Sequence, residues 1–196
     1  MKSRCNSRKR QIMRVIAGTW KGHALQAPKG RDTRPTTDRV KESMFSLLPH
    51  RLDGVVVDLF AGSGALGIEA LSRGAAKAVF VDADRRAVGV VRENLAKLNV
   101  GDRGVVWVSD WRKAVSRLAD EYPDVDWVFL DPPYAQGLWQ QAVAALADYV
   151  HIHGGIVCET PKHYLLPPDM SGFVQVKYKV YGDIAVSIYE PVVEEL

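Results

Sequence analysis

Cysteine is scarce in this chain of 196 residues, which contains only Cys5 and Cys158. Cys5 belongs to a polar N-terminal segment and Cys158 to a predicted buried strand, so we expect neither a disulfide framework nor a cysteine-based zinc site. No apolar run approaches the roughly 20 residues that a membrane helix needs, and the N-terminus lacks the apolar core of a secretory signal. The sequence therefore predicts a cytoplasmic protein with no bound metal and no membrane partner.

Acidic residues are absent from the N-terminal segment, because none precedes Asp32. Nine basic residues occur by residue 31, and the remainder of the chain carries 17 bases and 23 acids. A basic segment ahead of an acidic body suggests a polyanionic partner. For residues 1–12 alone, a solvated tail, or extra residues ahead of a true start near Met13, explains the charge equally well.

Two segments precede the main domain. Residues 1–12 have no periodic apolar pattern, so we predict a basic, flexible tail. Residues 13–30 read as a β-hairpin whose turn carries Trp20 and Lys21. These two side chains could stack on bases and contact phosphate, which would make the hairpin face RNA; a surface turn with one aromatic is the alternative.

Residues 31–196 are predicted to form a single α/β domain, because its length suits one core. A helix beginning near Asp38 has apolar residues at helical spacing and places Arg39, Lys41 and Glu42 on its other side. From Gly54 onward, strands and helices alternate, which predicts a parallel sheet with helices on both faces. The predicted strands are Val55–Phe60, Ala78–Val81, Val105–Ser109, Val125–Leu130 and Gly155–Glu159. The predicted helices between them are Ala65–Arg73, Arg85–Leu98, Trp111–Ala119 and Leu138–Tyr149.

The last two predicted strands, Phe173–Tyr181 and Ile184–Glu190, are joined by a short turn and form a hairpin. The sequence thus predicts a Rossmann-like, mostly parallel sheet of seven strands that ends in an antiparallel hairpin strand. This differs from the all-parallel, six-stranded dinucleotide fold.

A glycine-rich turn follows the first of these strands. Gly62, Gly64 and Gly67 fit the G-x-G-x-x-G pattern between a strand and a helix, which is typical of adenosine-containing ligands. The pattern alone does not distinguish a dinucleotide from another adenosine ligand.

Four predicted strand ends carry acids, and these should meet at one edge of a parallel sheet. They are Asp58, Asp82, Asp110 and Asp131. Clustered carboxylates repel one another, so a cationic ligand would explain their convergence. S-adenosylmethionine fits, because it carries a sulfonium and an ammonium and lacks a pyrophosphate.

Each acid has a predicted task. Asp58 accepts from the ligand ammonium or a bridging water, Asp82 from the ribose hydroxyls, and Asp110 from the adenine amino group. Helix capping is the alternative for all three. The predicted cofactor residues in this part of the chain are Asp58, Phe60, Ala61, Gly62, Ser63, Gly64, Gly67, Asp82, Ala83, Asp110, Trp111 and Asp131.

The sequence Asp131-Pro132-Pro133-Tyr134 follows the fourth strand, where two prolines stop the strand and stiffen the turn. Methyl transfer to an aromatic amino group requires two acceptors that hold its N–H bonds and aim the lone pair. The Asp131 carboxylate and the Pro132 carbonyl suit that task, and Tyr134 can stack on the base. We therefore predict Asp131, Pro132 and Tyr134 as catalytic residues.

Other functions remain open on these motifs. The same transfer chemistry would suit an adenine in DNA or a glutamine in a protein. A nicotinamide-dependent oxidoreductase would use the same glycines but leaves the four strand-end acids unexplained. A non-catalytic RNA-binding protein is a further alternative.

The chain also resembles the RsmD family of 16S ribosomal RNA guanine-N2 methyltransferases, which are class I enzymes dependent on S-adenosylmethionine. The resemblance covers residue 13 to the end. It rests on Met13–Gly18 with Lys21-Gly22, on Arg34–Glu42, on Asp58–Gly64 and on Asp131–Tyr134.

The resemblance implies methylation of one guanine, at nucleotide 966, in the 30S subunit or an assembly intermediate, by an enzyme that we expect to be monomeric. It also implies that Arg34, Thr36 and Arg39 lie near the mouth of the site, with Thr36 at the cofactor. Residues 1–12 precede the family's usual start and inherit no role. The predicted RNA contacts are Arg14, Trp20, Lys21, Arg31, Arg34, Arg39 and Tyr134.

Overall fold

The computed structural model describes residues 13–28, 38–133 and 137–192. The predictions for the tail 1–12 and for Arg31, Arg34, Thr36 and Tyr134 lie outside these residues. The helices of the described part are α1 (Asp38–Ser46), α2 (Ala65–Ser72), α3 (Arg85–Lys97), α4 (Trp111–Glu121) and α5 (Leu138–Tyr149). Its strands are β1 (Val55–Asp58), β2 (Lys77–Asp82), β3 (Gly104–Val108), β4 (Asp124–Leu130), β5 (His151–Pro161), β6 (Asp169–Met170), β7 (Phe173–Tyr181) and β8 (Ile184–Pro191).

All eight strands belong to one sheet, in the order β3-β2-β1-β4-β5-β8-β7-β6. Strands β1 to β5 pair in parallel, and β8, β7 and β6 continue the sheet in antiparallel fashion. The predicted Rossmann-like fold with its antiparallel C-terminal hairpin is confirmed. The eighth strand, β6, pairs through only two residues, which is too short to leave an alternating pattern in the sequence.

Strand β5 begins at His151, four residues before the predicted start at Gly155. Its first residues pair with β4 through Asp124 and Val125, and a register shift then separates Val125 from Trp127. Polar His151 and His153 alternate with buried Ile152 there. The half-exposed N-terminal end of β5 therefore lacks the continuous apolar run from which the strand was predicted.

Two hydrophobic clusters lie on opposite faces of the sheet. One contains residues of α1, α2, α3 and the N-terminal segment, including Val15, Trp20 and Leu25. The other contains residues of α4 and α5, including Trp139. Because the N-terminal segment contributes buried apolar residues to the first cluster, it is part of the main core and not a separate appendage.

The N-terminal segment forms a narrow loop with one antiparallel bridge, between Arg14 and Ala24, where the sequence predicted two strands. Backbone hydrogen bonds cross the loop from Val15 to the His23 carbonyl and from Leu25 to the Met13 carbonyl, and Glu69 of α2 supplies acceptors for two further amides. Its carboxylate accepts hydrogen bonds from the backbone amides of Ile16 at 2.8 Å and Ala17 at 3.0 Å. A buried side chain therefore satisfies backbone groups that a sheet would otherwise pair.

Glu69 is also the centre of a buried ion-pair network. Its Oε2 lies 3.3 Å from Lys41 Nζ, and its Oε1 lies 2.9 Å from Arg73 Nε. The prediction that Lys41 lies on the solvent side of α1 is wrong, because the side chain is only 1% exposed and also donates to the carbonyl of Arg14. Burial lowers the pKa of Lys41, although Glu69 opposes the shift.

Trp20 does not form an exposed tip, as the sequence predicted. Its side chain is 8% exposed and packs within the first hydrophobic cluster, with the Arg103 guanidinium 5.1 Å from the ring centroid. Its backbone amide donates to Ser72 Oγ at 3.0 Å. The indole is therefore a packing group, and little of its surface is available for stacking on a base.

Replacing Glu69 with alanine is expected to lower the free energy of unfolding by about 3–5 kcal/mol, because it leaves Lys41 buried without its carboxylate partner. Urea denaturation followed by circular dichroism measures this loss. Glu93→Ala, on the exposed side of α3, is the matched control and should change the free energy by less than about 0.5 kcal/mol. Equal, small effects of the two substitutions would contradict the role given to Glu69.

Candidate active site

The turn between β1 and α2 is built on two glycines with left-handed backbone conformations, Gly62 (φ 55°) and Gly64 (φ 80°). A side chain at Gly62 would meet no atom within 4 Å among the described residues, so open space lies beside this backbone. At Gly67, a Cβ would overlap the ring of Phe80. Gly62 thus lets a ligand approach the backbone, whereas Gly67 is buried and allows α2 to pack closely on β2.

The strands that carry the four predicted acids are neighbours in the sheet, in the order β3, β2, β1, β4. Because all four run in the same direction, their carboxyl ends share one edge. Asp58 and Asp82 are the last residues of β1 and β2, and Asp131 follows β4 directly. Asp110 is separated from β3 by one residue. The predicted convergence of carboxylates is therefore present in the structure.

Asp58 is the most deeply buried of these acids, with 2% of its surface exposed. Its Oδ2 accepts a hydrogen bond from the amide of Gly67 at 3.0 Å. Among the described residues, no donor contacts its other oxygen, Oδ1. A carboxylate with one oxygen fixed by the helix and the other still able to accept fits the predicted contact with an ammonium group.

The pKa of Asp58 is raised to about 7, chiefly by burial; the hydrogen bond from Gly67 opposes the shift, and the nearby charges of Asp131 and Asp82 add to it. Burial likewise raises the pKa of Asp131 to about 7. Two carboxyls with raised pKa values on adjacent strands indicate a site that favours positive charge, and such sites are often functional.

Asp82 braces the glycine turn from the neighbouring strand. Its Oδ2 accepts from the amide of Gly62 at 2.9 Å, and its Oδ1 accepts from the amide of Asp84 at 2.8 Å. The residue that caps α3 is Asp84, whose Oδ1 accepts from the amide of Arg86. Helix capping therefore does not account for Asp82, and its contact with ribose hydroxyls remains a prediction.

Asp110 does cap a helix, because its Oδ1 accepts from the amide of Arg112 at 2.9 Å at the start of α4. This was the alternative interpretation of the residue. Asp110 is also exposed at the same edge as the other acids. Because the cap uses Oδ1, its other carboxylate oxygen can accept a further hydrogen bond. Its predicted contact with the adenine amino group remains a prediction.

The remaining predicted cofactor residues differ in accessibility. Ala61 is buried, and its amide donates to the Val81 carbonyl at 2.8 Å, which fixes the end of β1 against β2. Phe60 is partly buried against the α4/α5 cluster, and Ala83 is exposed beside Asp82. Trp111 is buried, with the Arg112 guanidinium 4.3 Å from its ring centroid.

Asn94 of α3 is a site residue that the sequence did not reveal. This fully buried side chain donates to the Ser63 carbonyl at 3.0 Å and exchanges hydrogen bonds with the backbone of Gln26. It therefore ties the glycine turn to the N-terminal segment. A single asparagine within an amphipathic helix gives no sequence signal for this role.

The segment Asp131-Pro132-Pro133 begins where β4 ends. Asp131 is partly buried, Pro132 is buried and Pro133 is exposed. Tyr134 lies outside the described residues. The segment starts beside Asp58 at the carboxyl edge of the sheet, where Asp131 and Asp58 are close enough for their charges to interact.

The predicted RNA contacts that the structure describes fall into two groups. Arg14, Lys21 and Arg39 are exposed, whereas Trp20 is buried. Arg14 follows Met13, whose sulfur accepts a hydrogen bond from Ser63 Oγ in the glycine turn at 3.4 Å. Lys21 follows Trp20, whose amide donates to Ser72, the last residue of α2. That end of the helix lies about 12 Å from the end at the glycine turn, because eight helical residues rise about 1.5 Å each. Met13 thus lies at the glycine turn, and the Nε of its neighbour Arg14 lies 3.6 Å from Asp38 Oδ2.

Residues 13–28, 38–133 and 137–192 contain no helix that is both long and apolar enough to cross a membrane. They also contain no group of three or more His, Cys, Asp or Glu side chains arranged to hold a metal ion.

Comparison with known proteins gives a consistent result. The sequence model of the family described as Conserved hypothetical protein 95 matches residues 13–190. The chain is 39% identical to the Bacillus subtilis protein YlbH over 181 residues, covering 91% of this chain and 98% of YlbH. It is 37% identical to the Escherichia coli protein named Ribosomal RNA small subunit methyltransferase D, covering 91% of this chain and 89% of that protein.

The solved structure of the Escherichia coli protein yhhF superposes on this chain with a TM-score of 0.79 and 32% identity, covering 92% of this chain and 98% of that one. The family match begins at residue 13 and extends through the C-terminal hairpin. The chain therefore belongs to the RsmD family, whose sequence model carries the description Conserved hypothetical protein 95.

Proposed function

We propose that this protein transfers a methyl group from S-adenosylmethionine to the exocyclic N2 of a guanine in 16S ribosomal RNA. By family resemblance the target is nucleotide 966, and the substrate is the 30S subunit or an assembly intermediate. The protein from Escherichia coli at 37% identity bears the name of a small-subunit rRNA methyltransferase. The single structural observation that best supports the proposal is the pair of acidic groups, Asp58 and Asp131, beside the glycine turn.

The residues of the site fit the proposed donor. S-adenosylmethionine supplies a methyl group on a positively charged sulfur. The open space beside Gly62 admits a ligand to the backbone, and the N-terminus of α2 favours a carboxylate. Asp58 provides a buried acceptor for an ammonium group, and a cation there would favour the ionised form of both carboxyls.

Asp131 and Pro132 would orient the acceptor. The Asp131 carboxylate and the Pro132 carbonyl accept hydrogen bonds from the two N–H groups of the guanine amino group. This directs the nitrogen lone pair toward the methyl group. As the new C–N bond forms, the bond between the methyl carbon and the sulfonium sulfur breaks, its electron pair stays on sulfur, and S-adenosylhomocysteine is the leaving group. The nitrogen loses one proton. Asp131, whose ionised form a bound cation would favour, can accept that proton. Positioning and electrostatics then carry the reaction without a covalent intermediate.

The proposal predicts that purified protein and tritiated S-adenosylmethionine will label 16S rRNA in 30S particles that lack the modification. Nuclease digestion and mass spectrometry should locate the methyl group on N2 of a guanine. Particles from cells that already carry the modification are the control and should accept little label. Label on an exocyclic adenine nitrogen, transfer only to DNA or a protein glutamine, or binding of NAD in place of S-adenosylhomocysteine would overturn the proposal.

A further inference from the structure

Two side chains from other elements hold peptide groups of the glycine turn. Asp82 Oδ2 accepts a hydrogen bond from the amide of Gly62 at 2.9 Å. Asn94 Nδ2 donates to the carbonyl of Ser63 at 3.0 Å, which fixes the peptide group that links Ser63 to Gly64. Between these two lies the peptide group formed by the Gly62 carbonyl and the Ser63 amide, and no partner for it is present among the described residues. This middle peptide group can therefore contact a ligand in the open space beside Gly62.

Asn94 uses its whole side-chain amide in this arrangement. The side chain is fully buried. Besides its bond to Ser63, Nδ2 donates to the carbonyl of Gln26 at 3.1 Å, and Oδ1 accepts from the amide of Gln26 at 2.8 Å. Because a carbonyl needs a hydrogen-bond donor and an amide needs an acceptor, only one orientation of the Asn94 amide satisfies all three groups. Gln26 of the N-terminal segment thus sets the orientation in which Asn94 faces Ser63.

Ser72 is a second buried side chain that holds the N-terminal segment, but it lies away from the glycine turn. Its Oγ accepts from the amide of Trp20 at 3.0 Å and donates to the carbonyl of Ala17 at 2.6 Å. Ser72 is the last residue of α2, about 12 Å along the helix from the glycine turn. Ser72 and Asn94 therefore hold the same segment, whereas Asn94 also holds the turn.

We propose that Asn94 is a positioning residue for the methyl donor, and that through it binding of the methyl donor and docking of the N-terminal segment stabilise each other. This inference rests on the part of the proposed function that concerns S-adenosylmethionine and is independent of the acceptor. With the Ser63–Gly64 peptide group fixed in advance, binding does not have to order the turn, and affinity is higher. A methyl donor bound at the turn in turn favours the arrangement of Ser63, Asn94 and Gln26, because such coupling is equal in both directions.

The first test compares Asn94→Ala with Ser72→Ala. We expect Asn94→Ala to raise the Kd for S-adenosylhomocysteine, measured by calorimetry, about tenfold, which corresponds to one net hydrogen bond. Ser72→Ala is the matched control, because it also removes a buried side chain that holds the N-terminal segment; its Kd should stay within about twofold of wild type. Urea denaturation of both variants shows how much stability each has lost. An equal change of Kd in the two variants, or none in Asn94→Ala, would contradict the inference.

The second test uses the wild-type protein and does not depend on whether a variant folds. Adding S-adenosylhomocysteine should slow hydrogen exchange of the Gln26 amide, which donates to Asn94, more than that of the Trp20 amide, which donates to Ser72. Equal slowing of the two amides, or no slowing at Gln26, would overturn the inference while leaving the proposed function standing. If the wild-type protein binds no S-adenosylhomocysteine, the inference and the proposed function fail together.

Discussion

Replacing Asp131 with alanine is expected to lower kcat for methyl transfer by about 10²–10³-fold, the range seen when one preorganised group that stabilises a transition state is removed. Asp131→Ala removes both an acceptor for the guanine amino group and the proposed proton acceptor. Binding of S-adenosylhomocysteine should be largely kept, since Asp58, Asp82 and the glycine turn remain. Single-turnover labelling and calorimetry measure the two quantities separately.

Asp148→Ala, on the exposed surface of α5, is the control for Asp131→Ala and should retain full activity. A second variant, Asp131→Asn, keeps the size of the side chain and one carbonyl acceptor but cannot accept a proton. It should therefore be more active than Asp131→Ala and less active than wild type. An Asp131→Ala protein with wild-type kcat would remove the basis for the proposed transfer site.

As the pH drops from about 7 to about 5, the affinity for S-adenosylmethionine is expected to fall about tenfold per pH unit for each proton that binding must displace. Asp58 has a pKa raised to about 7 by burial, so it is largely protonated below that pH. A ligand ammonium binds the ionised form and must displace the proton. Calorimetry in buffers of different ionisation enthalpy measures the protons released at pH 6.

Asp58→Asn removes this titration and should flatten the pH dependence of binding, leaving only the part due to Asp131, while also weakening affinity above pH 7. Glu93→Ala, remote on α3, serves as the control. The free protein should show the opposite pH dependence in its stability. The folded state holds these protons up to about pH 7, whereas the unfolded state releases them near pH 4. The free energy of unfolding therefore decreases as the pH rises from about 4 to about 7. A donor affinity independent of pH from 5 to 8 would contradict the role of Asp58.

The parts of the site that the sequence predicted correctly are those whose cause is local. The β-branched run before Asp58, the glycines at 62 and 64 and the two prolines after Asp131 each constrain the backbone within a few residues. Parallel strands then bring their carboxyl ends together by topology alone. The alternation of strands and helices was therefore sufficient to predict that the strand-end acids share one edge of the sheet.

The parts that the sequence did not predict depend on partners far along the chain. Lys41 resembles a solvent-facing lysine until Glu69 and the Arg14 carbonyl are placed beside it. Trp20 resembles an exposed turn residue until Ser72 and Arg103 are placed around it. Tertiary contacts of this kind override the periodicity from which such predictions are made.

The attachment of the N-terminal segment also constrains the order in which the chain can fold during its own synthesis. Residues 13–28 leave the ribosome early, but the side chains that satisfy their backbone groups belong to Glu69, Ser72 and Asn94, which are 52 to 68 residues later. Until α3 has been synthesised, this segment lacks part of the set of acceptors for its amides. This early segment therefore cannot complete its hydrogen bonds before residue 94 has been made, and the carbonyl of Ser63 in the glycine turn gains its Asn94 donor only when α3 is in place.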